Sequence, residues 1–381
     1  MGGSFKIATV RGIDIKIHVT FFLILIYAAI VFGSDGRGMN GALFGIVATL
    51  LLFGCVVLHE LGHSIVAQRY GIPVRDITLW PIGGVARLER IPDKPAQEFW
   101  IAIAGPAVNV AIVGVVFVLG RALASLEAGF DLGALERGML QLAPASLLAY
   151  LFTTNLFLAV FNLIPAFPMD GGRILRALLA TRIQYTRATA IAVGIGQSLA
   201  LLAGFFGFLT GQLNLVLIAI FVFMGAGSEA QMVQVKSVLE GLRVRQAFTR
   251  KTEALDPDDR LTRAVDLTLS SFQSDFPVCR GEELVGLLTK TDLVSALQNR
   301  GSNAFVVSVM RKEFPTISLD DSVYLAQQRM AENNIEALPV VEQGRFRGLL
   351  TLRDVDEVFR LLSVSQQLLH ARKPVAEETV I

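Results

Sequence analysis

Two histidines and a glutamate stand at a spacing that can bind a metal and move a proton, in Leu58-His59-Glu60-Leu61-Gly62-His63. In a helix, positions i and i+4 share a face, so His59 and His63 can ligate one Zn²⁺ through their imidazoles. Glu60 adjoins the first of them and is placed to take a proton from a water on that metal. The chain holds 4 histidines, and at that abundance a chance match to this pattern is expected on the order of 10⁻³ times per chain. Catalytic zinc takes three protein ligands and keeps a fourth position open. The third candidate is Asp170, in Asn162-Leu163-Ile164-Pro165-Ala166-Phe167-Pro168-Met169-Asp170-Gly171-Gly172-Arg173, the single acid between Glu136 and Glu229. The alternative for Asp170 is an N-cap for a helix over 171–182, since an aspartate before Gly-Gly suits a cap.

The elements that must bring these groups together are membrane helices. Only 18% of the 381 residues are charged and mean hydropathy is +0.55. Residues 1–230 hold 27 of the 67 charged residues, and 231–381 hold the other 40. A membrane domain followed by a soluble one accounts for that asymmetry. Charge-poor stretches give six helices near 19–34, 41–68, 99–121, 145–164, 188–208 and 213–229. The last two are joined by a tight turn at Leu209-Thr210-Gly211-Gln212. One set of flanking segments carries twelve Lys and Arg, among them Lys16, Arg69, Arg87 and Arg173; the opposite loops carry Arg37, Arg121 and Arg137. The positive-inside rule therefore puts both termini and the soluble half in the cytoplasm. Helices two and four both run outside to inside, which delivers His59, His63 and Asp170 to the cytoplasmic side of the bilayer.

Three motifs in order carry a family resemblance: the H-E-x-x-H of helix two, Gly105-Pro106-Ala107-Val108-Asn109 in helix three, and the N-x-x-P-x-x-P-x-D-G stretch. Together, across roughly 11–230, they resemble the site-2 protease family of intramembrane zinc metalloproteases. The resemblance implies His59, His63 and Asp170 as ligands of one zinc and Glu60 as general base. It also implies hydrolysis of a peptide bond in or near a membrane-protein substrate's transmembrane helix. Asn109 would then lie near the site, either to hold substrate or the oxyanion or to make an interhelical hydrogen bond. The stretch Trp80 to Glu89 reads as a short strand, able either to pair with an unwound substrate or to form an ordinary hairpin. Segments 69–98 and 164–170 are the expected walls of a water path, because irregular backbone at membrane depth survives only beside a cavity.

The soluble half repeats itself. Residues 247–297 match 309–359 at a constant offset of 62, with Phe276-Pro277-Val278 answering Leu338-Pro339-Val340 and Gly286 to Asp292 answering Gly348 to Asp354. Each unit reads helix, strand, strand, helix. This resembles a tandem pair of cystathionine-β-synthase (CBS) domains, giving as fold class a polytopic α-helical membrane domain of six transmembrane helices followed by an α/β CBS pair. The domains are 1–230, a linker at 231–243, the pair at 244–363 (repeats 244–300 and 306–363) and a polar, frayed tail at 364–381. Many relatives bind adenine nucleotides, which implies Thr289, Asp292, Thr351 and Asp354 as candidate nucleotide contacts. Thr-x-x-Asp is equally a helix cap. CBS pairs commonly associate, so a homodimer is an option.

A net charge of +1 without a basic run leaves no footprint for nucleic acid. Cys55 and Cys279 fall in different halves, which excludes a disulfide framework, and the start shows no removable signal peptide. Cys55 reads as packing material, His18 as interfacial and His370 as solvated in the tail. The competing function is a CBS-gated transporter or ion-binding membrane protein without protease activity. An ion path predicts paired charges on several helices, whereas here they converge on one H-E-x-x-H and Asp170.

Overall fold

The computed structural model describes residues 3–34, 38–88, 92, 94–124, 143–250, 252–271, 273–281 and 283–371. The chain forms two compact units, Met1–Gln231 and Met232–Ile381.

In the first unit a four-stranded sheet precedes and interrupts the helices. Strands β1 (Ser4–Val10) and β2 (Ile13–His18) form a hairpin whose two-residue turn, Arg11 and Gly12, has positive φ at both positions. Such a turn matches the twist of the strands it joins. Strand β2 then pairs in parallel with β3 (Val74–Trp80), and β3 pairs antiparallel with β4 (Gly83–Leu88), giving the order β1-β2-β3-β4. Ile13, Ile15, Ile77 and Leu79 face one side of this sheet and are buried. They cover the helix carrying the histidines, with Ile13 and Ile77 in one cluster with Leu61 and Ala67, and Leu79 in another with Phe53. Of this sheet the sequence reading gives only the strand within 80–89, which the structure places as β4; β1, β2 and β3 are additions.

The helices are α1 (Phe21–Gly33), α2 (Gly38–Arg69), α3 (Pro95–Ala124), α4 (Pro144–Asn162), α5 (Asp170–Ala180), α6 (Tyr185–Leu209) and α7 (Leu213–Glu240). Among the described residues five, α2, α3, α4, α6 and α7, are long and apolar enough to cross a membrane. All six segments are helical, but α1 has 13 residues, about 20 Å, against the roughly 30 Å of a hydrocarbon core. Thr210-Gly211-Gln212 is the tight turn between α6 and α7, with Gly211 at φ 71°. On α6, Ala188, Ala192, Gly196 and Ala200 recur every four residues and are buried. Small residues at this spacing let backbone approach closely, and a Cβ at Gly196 would lie 3.1 Å from Ala166 in the loop before Asp170.

The second unit is built from the repeat. Helix α8 (Leu261–Ser271), the antiparallel strands β5 (Phe276–Arg280) and β6 (Glu283–Leu288) and helix α9 (Lys290–Arg300) form the first half. Helix α10 (Val323–Asn333), strands β7 (Ala337–Glu342) and β8 (Arg345–Thr351) and helix α11 (Leu352–Ala371) form the second. Bridges Leu255↔Val278 and Ile317↔Val340 sit at the repeat offset, and the halves exchange Thr249↔Leu349 and Leu287↔Arg311. Each half has its own core, around Phe276 and Leu288 in one and Leu338 and Leu350 in the other. Helix α7 runs to Glu240 through most of the stretch read as a linker, and α11 runs to Ala371 into the stretch read as a frayed tail. Arg37, Arg90, Arg137 and residues 372–381, used in the sequence reading, lie outside the described residues.

Candidate metal centre

Helix α2 carries His59 and His63 on its buried face, 7% and 6% exposed. Helix α5 begins at Asp170, itself 8% exposed. Its Oδ2 lies 3.3 Å from His59 Nε2 and 3.2 Å from His63 Nε2, and the two Nε2 atoms are 3.1 Å apart. The N-cap of α5 is Met169, with no side-chain cap bond. Asp170 therefore turns its carboxylate to the histidines and does not cap its own helix.

The outer ring nitrogens fix the protonation pattern. His63 Nδ1 lies 2.6 Å from the Ile101 carbonyl oxygen, which can only accept, so this nitrogen carries the proton. His59 Nδ1 likewise faces the Asn109 amide oxygen at 3.1 Å. In the neutral rings both Nε2 atoms then point bare lone pairs at each other and at a carboxylate oxygen. Three electron-rich atoms so placed repel unless a cation sits among them, and these three are the group among the described residues able to hold a metal. The triangle fits zinc. Three atoms at this spacing share a point about 1.9 Å from each, close to the bonds of about 2.0–2.2 Å that zinc makes to imidazole nitrogen and carboxylate oxygen, so these residues could hold it.

Glycines allow the approach. A Cβ on Gly105 would lie 2.7 Å from His59 Cε1 and closer still to the His63 ring, so α3 can back onto both imidazoles only with glycine there. Gly172 does the same for the loop ahead of Asp170, where a Cβ would fall 2.7 Å from Phe167 N. That loop is held by Ala166, Phe167 and Met169, all buried, the first and third packed on Ala200 and Val222.

Glu60 lines a cavity of about 1190 Å³ together with His59, His63, Asn109, Asp170 and Arg173. The β3–β4 turn, residues 80–86, forms one wall, and Gly84 lies directly over Glu60, where a Cβ would be 2.9 Å from Glu60 Cγ. Of the expected access walls, 80–86 and 168–170 line the cavity; Tyr27 and Phe32 of α1 add a wall the sequence reading did not include. Asn109 borders the cavity and makes the interhelical hydrogen bond, its partner being His59. Ile101 has no signal in the sequence, because it acts through a backbone carbonyl; Gly105 and Gly84 lie in motifs the sequence marks, but the close approach each allows is seen only in the structure.

The remaining candidates lie elsewhere. Cys55 packs with Val116 and Leu151. His18 stacks on Trp80 at 3.9 Å and bonds Thr20. The side chain of His370 lies outside the described residues. In the second unit Thr289 caps α9, bonding Asp292 through both its hydroxyl and the Asp292 N–H. Burial opposes ionisation of Asp292, but a two-pronged bond from Arg311 and the Thr289 hydroxyl outweigh it and hold the carboxyl below its usual range. Thr351 and Asp354 repeat the capping pair, with the Thr249 hydroxyl in place of the arginine.

The chain matches the family model of peptidase family M50 over residues 47–203 and that of the CBS domain over 244–299 and 306–360. It is 34% identical over 368 residues to a zinc metalloprotease of Methanocaldococcus jannaschii, an alignment covering 97% of this chain and 99% of that one. A solved structure of a site-2 protease from the same organism is 40% identical, covering 60% of this chain and 95% of that one with a TM-score of 0.43.

Proposed function

We infer, for a chain that belongs to peptidase family M50, the site-2 protease family of membrane zinc metalloproteases, that His59, His63 and Asp170 hold the zinc and that Glu60 is its general base. The protein is an integral membrane hydrolase of peptide bonds with a CBS pair as its soluble unit. The observation that carries the assignment is the convergence of two imidazole Nε2 atoms and a carboxylate within 3.3 Å, with both outer nitrogens already engaged. Zinc bound there supplies Lewis acidity for a water and for the scissile carbonyl. Glu60, in the cavity beside the histidines, takes the proton of the attacking water and gives it back to the leaving amine. Asn109 and the Ile101 carbonyl keep the two rings in the right tautomer and orientation.

The substrate is a membrane protein, cut within or beside a transmembrane segment near the cytoplasmic face. The site's place in the last third of α2, just ahead of Arg69 and Arg75, supports that depth. An unwound substrate strand adds to the outer edge of β4, next to Glu60, with its carbonyls exposed to the site. Both termini and the CBS pair are cytoplasmic on the same charge bias.

An adenine nucleotide at the CBS pair adjusts the activity. Of the two Thr-x-x-Asp pairs the second suits a ribose better, since Asp354 is held by neutral hydroxyls while Asp292 is committed to Arg311. Unchanged melting of the protein across millimolar ATP, ADP, AMP and S-adenosyl methionine would remove this part. A homodimer through the CBS pair is the proposed assembly, and a monomeric mass in detergent by light scattering would contradict it. The zinc assignment is tested by metal analysis: about one zinc per chain in the wild type, lost in His59→Ala. Zinc retained in that variant would place the metal elsewhere.

A further inference from the structure

We propose that Arg176 is a positioning residue for the metal centre, its buried guanidinium tying the helix that begins with Asp170 to the helix that backs both histidines. This rests on the zinc assignment above. Arg176 lies on α5, six residues after Asp170, and is 3% exposed. Its Nε donates to Glu98 Oε1 at 2.8 Å, and Nη2 donates to the same oxygen. Its Nη1 donates to Glu229 Oε1 of α7 at 2.5 Å. The guanidinium plane is flanked by the rings of Phe167 and Tyr185, at 4.8 and 4.9 Å. Phe167 is fully buried and stands three residues before Asp170.

Each partner of the fork leads back to a ligand. Glu98 and Ile101 are i and i+3 on α3, hence neighbours on one face, and the Ile101 carbonyl holds His63. Further along the same helix Gly105 and Asn109 meet the two imidazoles. Phe167 belongs to the loop that delivers Asp170. Arg176 thus fixes α5, a helix of 11 residues too short to be held by spanning the bilayer, against the frame that fixes the histidines. Net stabilisation is a poor reason to bury one cation with two carboxylates, because desolvation cancels most of the Coulomb gain and apolar residues would pack as well. What such a fork gives is fixed direction, three bonds and two ring faces, which an apolar side chain does not supply.

The test uses the full-length protein in detergent, with zinc affinity read by competition against a chelator and melting recorded with and without saturating zinc. Arg176→Lys keeps the charge but offers one ammonium that cannot fork to two acids. Its zinc Kd is expected to weaken by about 10–100-fold, the range for groups that orient ligands, and its zinc-bound melting temperature to fall further than its zinc-free one. A Kd within twofold of wild type, with both melting temperatures falling equally, would reduce Arg176 to packing and overturn the proposal. If Arg176→Lys does not fold, Glu229→Gln decides. It removes one charge and keeps an acceptor oxygen, so a Kd weakened at least threefold supports the proposal and an unchanged Kd overturns it. A wild-type protein that binds no zinc would overturn the metal-centre reading, and the positioning role with it.

Discussion

Replacing Gly105 with alanine sets two expectations of opposite sign against each other. In the interior of an ordinary helix the exchange gains about 1 kcal/mol, because alanine orders the backbone at lower entropic cost. Here the added methyl has no room. It would lie 2.7 Å from His59 Cε1 and closer to the His63 ring, where carbon–carbon contact needs about 3.5 Å or more. Either α3 withdraws or both rings move by the better part of 1 Å. Withdrawal of α3 also pulls the Ile101 carbonyl off His63 and Asn109 off His59. A misplacement of this size costs about 10²-fold in rate, and comparable disturbance of ligand support costs about 10–100-fold in metal affinity. The assay is paired: zinc affinity by chelator competition, and cleavage of a membrane substrate at saturating zinc. Gly105→Ala is expected to lose at least tenfold in affinity and more in rate. Wild-type affinity and rate in a folded Gly105→Ala would show that the rings are not held as described.

Gly84→Ala places a methyl 2.9 Å from Glu60 Cγ and 3.1 Å from Val56 Cγ1; cleavage is expected to fall about tenfold or more with zinc content unchanged, and unaltered cleavage would remove the β3–β4 turn from the site. Asn109→Leu keeps volume but deletes the acceptor for His59 Nδ1, so zinc Kd is expected to weaken by about 10–100-fold, while an unchanged Kd would leave Asn109 no orienting role. In the CBS pair, burial pushes the Asp275 carboxyl up, the Lys290 N–H opposing it. A carboxyl raised on folding binds more protons folded than unfolded, so its cost is absent at acid pH and grows as pH rises through the raised value. Asp275→Asn keeps the acceptor for Lys290 and is expected to stabilise this unit at neutral pH, with the difference vanishing in acid; equal effects at both pH values would contradict the burial argument.

The candidate metal site was legible because its chemistry is written in residue types: two histidines four apart, a glutamate between them, and the single acid between Glu136 and Glu229. The cap reading of Asp170 could be settled only by seeing where the carboxylate points. What supports the site was legible only in part. Asn109 and Gly105 lie in a motif the sequence marks, but the sequence does not show that one orients His59 and the other makes room for both rings, and the Ile101 backbone carbonyl leaves no trace in residue types. Arg173 and Arg176 both counted as charges flanking the membrane; three-dimensional packing puts the first at the cavity and buries the second between Glu98 and Glu229. The N-terminal sheet escaped because, unlike the equally short CBS strands, β1 and β2 are not marked by a repeat, and β2 pairs across sequence with β3, on the far side of two helices. The repeat, by contrast, is readable from its offset, and both Thr-x-x-Asp pairs fold as the caps their spacing suits.

The central claim is that Glu60 activates water at a zinc held by His59, His63 and Asp170. It is tested most directly by mapping membrane-protein N-termini in cells carrying the wild type or Glu60→Gln. That substitution keeps all three ligands and the shape of the side chain and removes only the base. New termini inside or beside transmembrane segments, present with wild type and absent with Glu60→Gln, are the predicted result. Identical maps, with both proteins folded and carrying equal zinc, would contradict it.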